Sequence, residues 1–314
     1  MSSDKKLKII FMGSAGFAVP SLDALIRSHH KIIEVVAQPD KPAGRGQHVK
    51  ACPVAAYARE HDLTLFQPTS VKKTESIEHF EKLGCDLLII VAYGKLLPAK
   101  LLELPPMGCI NVHASLLPKY RGAAPINWAI ANGEKETGVT TMFISEELDA
   151  GDVLLCASTP LDEAETATEL HDRLSMMGAD LLLHTIDGLI DGTLKPKPQD
   201  HSKATYAPLI KKEDGHIDWS KSTAEIYNRI RAFTPWPGSF ALVGTKKLTI
   251  HEAEPMDLDH ALPPGTVLES KEHILIACGK GALCLVEMQM EGGRRMSASD
   301  FLHGHKIKEG EVLT

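Results

Sequence analysis

No run of residues in the chain is both long and apolar enough to cross a bilayer as a helix. The polar opening MSSDKK passes straight into the short run LKIIFMG and lacks the layout of a secretion signal. A membrane-spanning helix is excluded on that count, and a cytoplasmic protein is expected. The six cysteines, Cys52, Cys85, Cys109, Cys156, Cys278 and Cys284, never form a Cys-x-x-Cys pair. Most lie in apolar runs such as LGCDLLII, so buried free thiols in a reducing compartment are expected, rather than a disulfide framework or a zinc finger. His29-His30 and His303-Gly304-His305 have no partners at metal-ligand spacing, and no metal is expected. Walker and Gly-x-Ser-x-Gly motifs are missing, which removes the simple NTPase and hydrolase classes. The turn Met12-Gly13-Ser14-Ala15-Gly16-Phe17 lacks a full Gly-x-Gly-x-x-Gly, and Glu34 does not close the next strand as a ribose-binding acid would. A dinucleotide cofactor is therefore not expected. There is no internal repeat, no low-complexity tract and no excess of positive charge. A net charge of −7 excludes a generally basic nucleic-acid binder but leaves room for a local basic strip.

What is present is 314 residues, enough for two domains. The first two-thirds alternates β-type runs (LKIIFMG, IIEVVAQP, TLFQP, DLLIIVAYG, GCINVHAS, GVTTMFIS) with helical patterns near 19–28, 53–61 and 75–83. Runs that are apolar on consecutive residues indicate strands covered on both faces, as in a parallel sheet wrapped by helices. The expectation is an α/β, Rossmann-like doubly wound parallel sheet over residues 1–191, ending in a long amphipathic helix over 166–189. The polar, Pro-punctuated stretch 192–208 is expected to be a linker. Residues 209–314 hold one helix over 222–233 and then about five short β-type runs, which suggests a small OB-like β-barrel.

Ligands of an open parallel sheet bind beyond the carboxyl ends of its strands, and three polar features follow such strands here. VAYG ends one run. INVHASLLP ends another, with Asn111 and His113 on one face because strand side chains alternate. MFISEELDAGD ends a third and carries Asp149. Asn-x-His followed by Ser115-Leu116-Leu117-Pro118, with Asp149 in Leu148-Asp149-Ala150-Gly151 36 positions after the histidine, resembles the 10-formyltetrahydrofolate-dependent formyltransferases. The resemblance runs from Ile9 to Phe301. It implies a catalytic set of Asn111, His113 and Asp149, with 10-formyltetrahydrofolate as co-substrate and no metal. When a neutral amine attacks a formyl carbon, negative charge grows on the formyl oxygen. Asn111 and protonated His113 can donate to it, Asp149 can orient the imidazole, and His113 or a water can carry protons. The same resemblance places the folate against Val91, Tyr93, Gly94, Leu96, Leu97, the turn Ser115, Leu116, Leu117, Pro118, and Glu146 and Glu147.

Branches of this family differ in the amine that they formylate. The additional C-terminal domain disfavours the purine-synthesis branch. A branch acting on amino-sugar nucleotides remains, for which 127–140 is suitable, as does a catalytically silent RNA- or folate-binding relative. Gln38-Pro39-Asp40-Lys41-Pro42-Ala43-Gly44-Arg45-Gly46-Gln47 resembles the loop that the branch acting on methionyl initiator tRNA inserts at the acceptor stem. That resemblance implies tRNA contacts by Lys41, Arg45 and Lys50, with Lys211, Lys212, Lys246 and Lys247 from the second domain. The stretch Arg229-Ile230-Arg231-Ala232-Phe233-Thr234-Pro235-Trp236-Pro237-Gly238 resembles the same branch, its Trp and prolines read as packing and its arginines as facing phosphate. A monomer is expected.

Overall fold

The computed structural model describes residues 5–43, 48–305 and 307–314. In chain order it runs β1 (Lys8–Gly13), α1 (Val19–Arg27), β2 (Lys31–Val36), β3 (Lys41–Ala43), β4 (His48–Lys50), α2 (Pro53–Glu60), β5 (Leu65–Phe66), α3 (Thr74–Leu83) and β6 (Leu87–Val91). It continues with α4 (Ala99–Leu102), β7 (Cys109–His113), β8 (Arg121–Gly122), α5 (Pro125–Ala131), β9 (Glu136–Phe143), β10 (Val153–Pro160) and α6 (Ala167–Ile190). The remainder is β11 (Tyr206–Ala207), α7 (Thr223–Phe233), β12 (Ser239–Val243), β13 (Lys246–Met256), β14 (Val267–Ser270), β15 (Ile274–Ala277), β16 (Ala282–Met290), β17 (Met296–Ser297) and α8 (Ala298–Gly304).

Two compact units emerge, and they interleave along the chain. The first comprises Met1–Gly122, Thr137–Thr159 and His171–Tyr206; the second takes Ala123–Glu136, Pro160–Leu170 and Ala207–Thr314. A seven-stranded sheet in the order β10-β9-β7-β6-β1-β2-β5 forms the heart of the first unit. From β5 to β7 every neighbouring pair is parallel. The continuous apolar runs of β1 and β6 are buried throughout, apart from Lys8, which is why they show no alternation. β1 stands between strands that leave it in opposite directions, so the crevice beyond the ends of β1 and β6 is the switch point.

The sheet is mixed rather than wholly parallel, because β9 runs antiparallel to β7, with Ile110 opposite Phe143 and His113 opposite Thr140. The loop after β9 therefore leaves the sheet level with the start of β7, not its end. Gly13 closes β1 for a packing reason. A Cβ there would stand 2.9 Å from the Ala18 Cβ and 3.0 Å from the Val91 carbonyl oxygen. The N–H groups of Ser14 and Ala15 both donate to the Ala92 carbonyl, so this turn offers no nest to a dinucleotide phosphate.

In the second unit, a sheet ordered β12-β13-β16-β15-β14, with β17 beside β16, surrounds Trp219, Leu248, Ile276, Leu285 and Phe301. Its two edges are joined by residues 311–314. Val267 N–H donates to Glu311 O at 2.8 Å, Leu313 N–H to Gly265 O at 2.9 Å, and Thr314 N–H to Leu242 O at 3.1 Å. These bonds close the sheet into the barrel that the short strands predicted. Helix α7 opens with a capping box between Ser222 and Glu225 and lies against α5, a helix the sequence reading did not assign. Leu313 is 1% exposed within the barrel core. Leu313→Ala is expected to cost about 2–5 kcal/mol by emptying that position, measured by denaturant unfolding.

Among the described residues no helix is long and apolar enough to cross a membrane. Cys85, Cys109 and Cys278 are buried as expected, and burial pushes the first two thiols up to about 11 and about 12. Cys156 departs from that expectation. It lies on the outward face of edge strand β10, where only alternate residues are covered, and is exposed.

Candidate active site

The switch-point end of the first unit gathers the polar residues singled out in the sequence. Asn111 is half-buried on β7, between Ile90 of β6 and Met142 of β9, and its amide makes no hydrogen bond to any described residue. His113, on the same face, is 6% exposed. Its Nε2 lies 2.8 Å from the Tyr120 carbonyl oxygen. A carbonyl can only accept, so Nε2 carries a hydrogen and Nδ1 is the atom that gains or loses a proton. Nδ1 is 3.7 Å from Asp149 Oδ2, and that oxygen also accepts the Gly122 N–H at 2.8 Å.

Asp149 reaches this position because the loop after β9 turns back on itself. Its φ of 49° is left-handed, a conformation that costs a non-glycine residue about 1–3 kcal/mol and persists only where the surroundings hold it. Gly151 makes the reversal sterically possible, since a Cβ there would meet the Phe143 carbonyl oxygen at 1.9 Å. Gln199 holds the loop from outside. Its Nε2 donates to the carbonyls of Asp149 at 2.9 Å and Gly151 at 2.8 Å. Its Oε1 accepts from Arg121 Nε at 3.1 Å and Nη2 at 2.7 Å.

The turn after His113 is fixed by β9. Thr140 Oγ1 donates to the Ser115 carbonyl at 2.7 Å and accepts the Leu117 N–H at 3.2 Å, while Leu117-Pro118 is cis. Ser115 is buried, with its hydroxyl donating to the Lys119 carbonyl at 2.6 Å. Of the expected folate residues, Val91 and Tyr93 are buried, and the Tyr93 ring lies in a core cluster beside Leu101 and Cys109, with Leu97 and Ile144 packed against it. Burial also pushes the Tyr93 phenol up. Those two positions can offer a ligand backbone but no side chain. Gly94 has a φ of 76° and is exposed, as are Leu96, Glu146 and Glu147; Leu116, Leu117 and Pro118 are buried or half-buried. Leu96 and Leu148, at 66% and 53% exposed, are the large apolar side chains left open on the two loops.

Within the segment 38–52, β3 and β4 pair antiparallel, and the residues that lead into them are anchored. Gln38 Nε2 donates to the Tyr93 carbonyl at 2.8 Å, and Asp40 accepts from Arg59 at 2.8 Å and from Gln67 at 2.7 Å. Lys41 and Lys50 are exposed on its strands, and Arg45 lies outside the described residues. In the second unit Lys211, Lys212 and Lys246 are exposed, and the Lys247 ammonium lies 4.0 Å over the Phe240 ring.

The arginines read as facing phosphate are committed elsewhere. Arg231 is 6% exposed, with Nη1 donating to the carbonyls of Asp162 at 3.0 Å and Glu165 at 2.8 Å and Nη2 to Asn228 at 2.8 Å. Arg229 donates to the Asp214 carbonyl at 2.9 Å and covers the Phe233 ring. Stripping water from a guanidinium is tolerable only where carbonyls replace it, and both have found them. Gln199 and Arg121 are what the sequence reading missed. Gln199 sits in the stretch expected to be a linker, and no local pattern marks it.

Comparison with known proteins places the chain in a family. The profile described as formyl transferase matches residues 5–186, and that described as formyl transferase, C-terminal domain, matches 209–306. The chain is 47% identical to the methionyl-tRNA formyltransferase of Citrifermentans bemidjiense, over 98% of this chain and 96% of that one. It is likewise 47% identical to that of Caldanaerobacter subterraneus, over 98% and 100%. Among solved structures, the N-formyltransferase of Helicobacter canadensis, complexed with folinic acid and dTDP-3-aminofucose, shares the fold at 19% identity. Its TM-score is 0.66, with 90% of this chain and 100% of that one covered. The match extends through both parts of the chain, and the chain belongs to the formyl transferase family.

Proposed function

We propose that the chain transfers the formyl group of 10-formyltetrahydrofolate to the α-amino group of methionyl initiator tRNA. The observation that carries this reading is the buried His113, with Nε2 tied to a carbonyl and Nδ1 facing Asp149 at 3.7 Å, beside the unengaged amide of Asn111. Relatives 47% identical over nearly the whole chain bear the corresponding name.

Bound folate supplies an activated formyl group. The chain's own residues provide the rest. Asn111 offers an N–H to the oxygen on which negative charge grows. His113 accepts or releases a proton at Nδ1, while its Nε2–H keeps the ring plane fixed. Asp149 faces Nδ1 at 3.7 Å and is itself fixed by the Gly122 N–H. Exposed Leu96 and Leu148, on loops whose bases share one core cluster through Leu97 and Ile144, suit the flat apolar surface of a pterin. Lys41 and Lys50 on the paired strands β3 and β4, and Arg45 of the same sequence segment, with Lys211, Lys212, Lys246 and Lys247, are assigned to the phosphates of the tRNA. The reading that places an amino-sugar nucleotide at 127–140 loses support, because Asn127 donates to the Ala232 carbonyl at 2.7 Å and Trp128 to the Pro208 carbonyl at 2.8 Å.

The test is a transfer assay with 10-formyltetrahydrofolate and two acceptors in parallel. Methionyl initiator tRNA is expected to be formylated at least about 10³-fold more efficiently than a dTDP-amino sugar, a gap of about 4 kcal/mol. Equal or reversed preference would remove the tRNA assignment, and transfer to neither would remove the reaction.

A further inference from the structure

We propose that Gln199, braced by Arg121, is the positioning residue that sets Asp149 against His113; this rests on the role given to Asp149 above. The loop after β9 leaves the sheet opposite Ile110 and must come back to reach His113. Its apex, Asp149, is left-handed. Something must hold it there. The two N–H bonds of the Gln199 amide go to the carbonyls on either side of Ala150, at 2.9 and 2.8 Å.

The amide has one possible orientation. The carbonyls of Asp149 and Gly151 require donors, and the Arg121 guanidinium, which cannot accept, requires the oxygen. Both side chains are buried, Gln199 at 7% and Arg121 at 3% exposed, so neither competes with water. A charge against Oε1 polarises the amide and makes Nε2 a stronger donor. The same two-residue strand holds the aspartate a second time, through the Gly122 N–H on Oδ2. Backbone and carboxylate of Asp149 are thus referenced to one point, Arg121-Gly122, which no electrostatic steering of phosphate explains. Gln199 does not touch the reacting atoms. It acts through Asp149.

Gln199→Glu keeps the shape and the Arg121 contact but turns two donors into acceptors facing carbonyls. It is expected to lower kcat about 10²-fold, with KM for folate and for tRNA within about threefold, since a displacement of 1 Å at a catalytic group costs that much. Gln199→Met, of similar volume and without charge, is expected to do the same and serves if the glutamate variant does not fold. The deciding measurement is a double-mutant cycle. In an Asp149→Ala background the Gln199 changes are expected to alter kcat less than about twofold, because nothing is left to position. An equal fractional loss in both backgrounds, or an unchanged kcat in the single variants, overturns the proposal and leaves Gln199 as packing. Normal turnover of Asp149→Ala alone would instead overturn the role of Asp149 itself, and with it any need to position that residue.

Discussion

His113→Ala is expected to slow formyl transfer by about three orders of magnitude, within the range of a lost general acid–base combined with a lost charged donor. Affinity for the folate is expected to stay within a few fold, because the loops assigned to the pterin do not rest on this imidazole. The geometry explains why no neighbour can substitute. With Nε2 held by the Tyr120 carbonyl, only Nδ1 can exchange a proton, and Asp149 is the one acid close to it in the described site. Alanine also removes the buried hydrogen bond from Nε2 to the Tyr120 carbonyl, so a modest loss of stability accompanies the loss of rate. Single-turnover kinetics at saturating donor, with donor binding measured separately by calorimetry, separate the two effects. Turnover within tenfold of the parent would sink the assignment. A matched loss of donor binding would place His113 in substrate recognition instead.

The second large effect is expected at Gly151. An added methyl would sit 1.9 Å from the Phe143 carbonyl oxygen and 2.8 Å from its carbon. Neither atom can move freely, because Phe143 is paired with Ile110 and its N–H donates to the Asp152 carbonyl at 2.9 Å. The loop must therefore open and carry Asp149 away from His113. Gly151→Ala should lose at least about 10²-fold in turnover and about 1–3 kcal/mol in stability from overpacking. Gly304→Ala is the control. It meets nothing within 4 Å and lies in helix α8, so stability should change by less than about 1 kcal/mol and activity not at all. Unaltered activity in Gly151→Ala would mean that the loop has room the structure denies it.

The sequence made the first unit legible where burial was two-sided. β1 and β6 are apolar residue after residue because helices cover both faces, and that pattern needs no tertiary knowledge to read. It could not show that β9 runs antiparallel, since GVTTMFIS is equally apolar in either direction. The direction matters, because it puts the exit of β9 at the far end from His113 and creates the need for a reversing loop. Asn111, His113 and Asp149 were singled out through the family that their motif resembles, whereas Gln199 was not. A glutamine among prolines and lysines has the composition of a linker, and only the fold brings it to the Asp149 loop. Arg229 and Arg231 illustrate the opposite error. A cation in a sequence invites a phosphate, but each of these donates to backbone carbonyl oxygens.

The interleaving of the two units bears on how far this protein can be taken apart. The junction near residue 200 divides the two family profiles, which invites treating the chain as two exchangeable modules. The fold does not honour that seam. Helix α5 belongs with α7, sharing the Asn127 bond to Ala232 and the edge-on contact of Trp128 with Phe233, while Gln199 belongs with the Asp149 loop. A cut on either side of the junction strands part of one unit on the wrong fragment. Recombination between relatives would therefore succeed only when the breakpoints follow the spatial units and carry 123–136 and 160–170 along with the barrel.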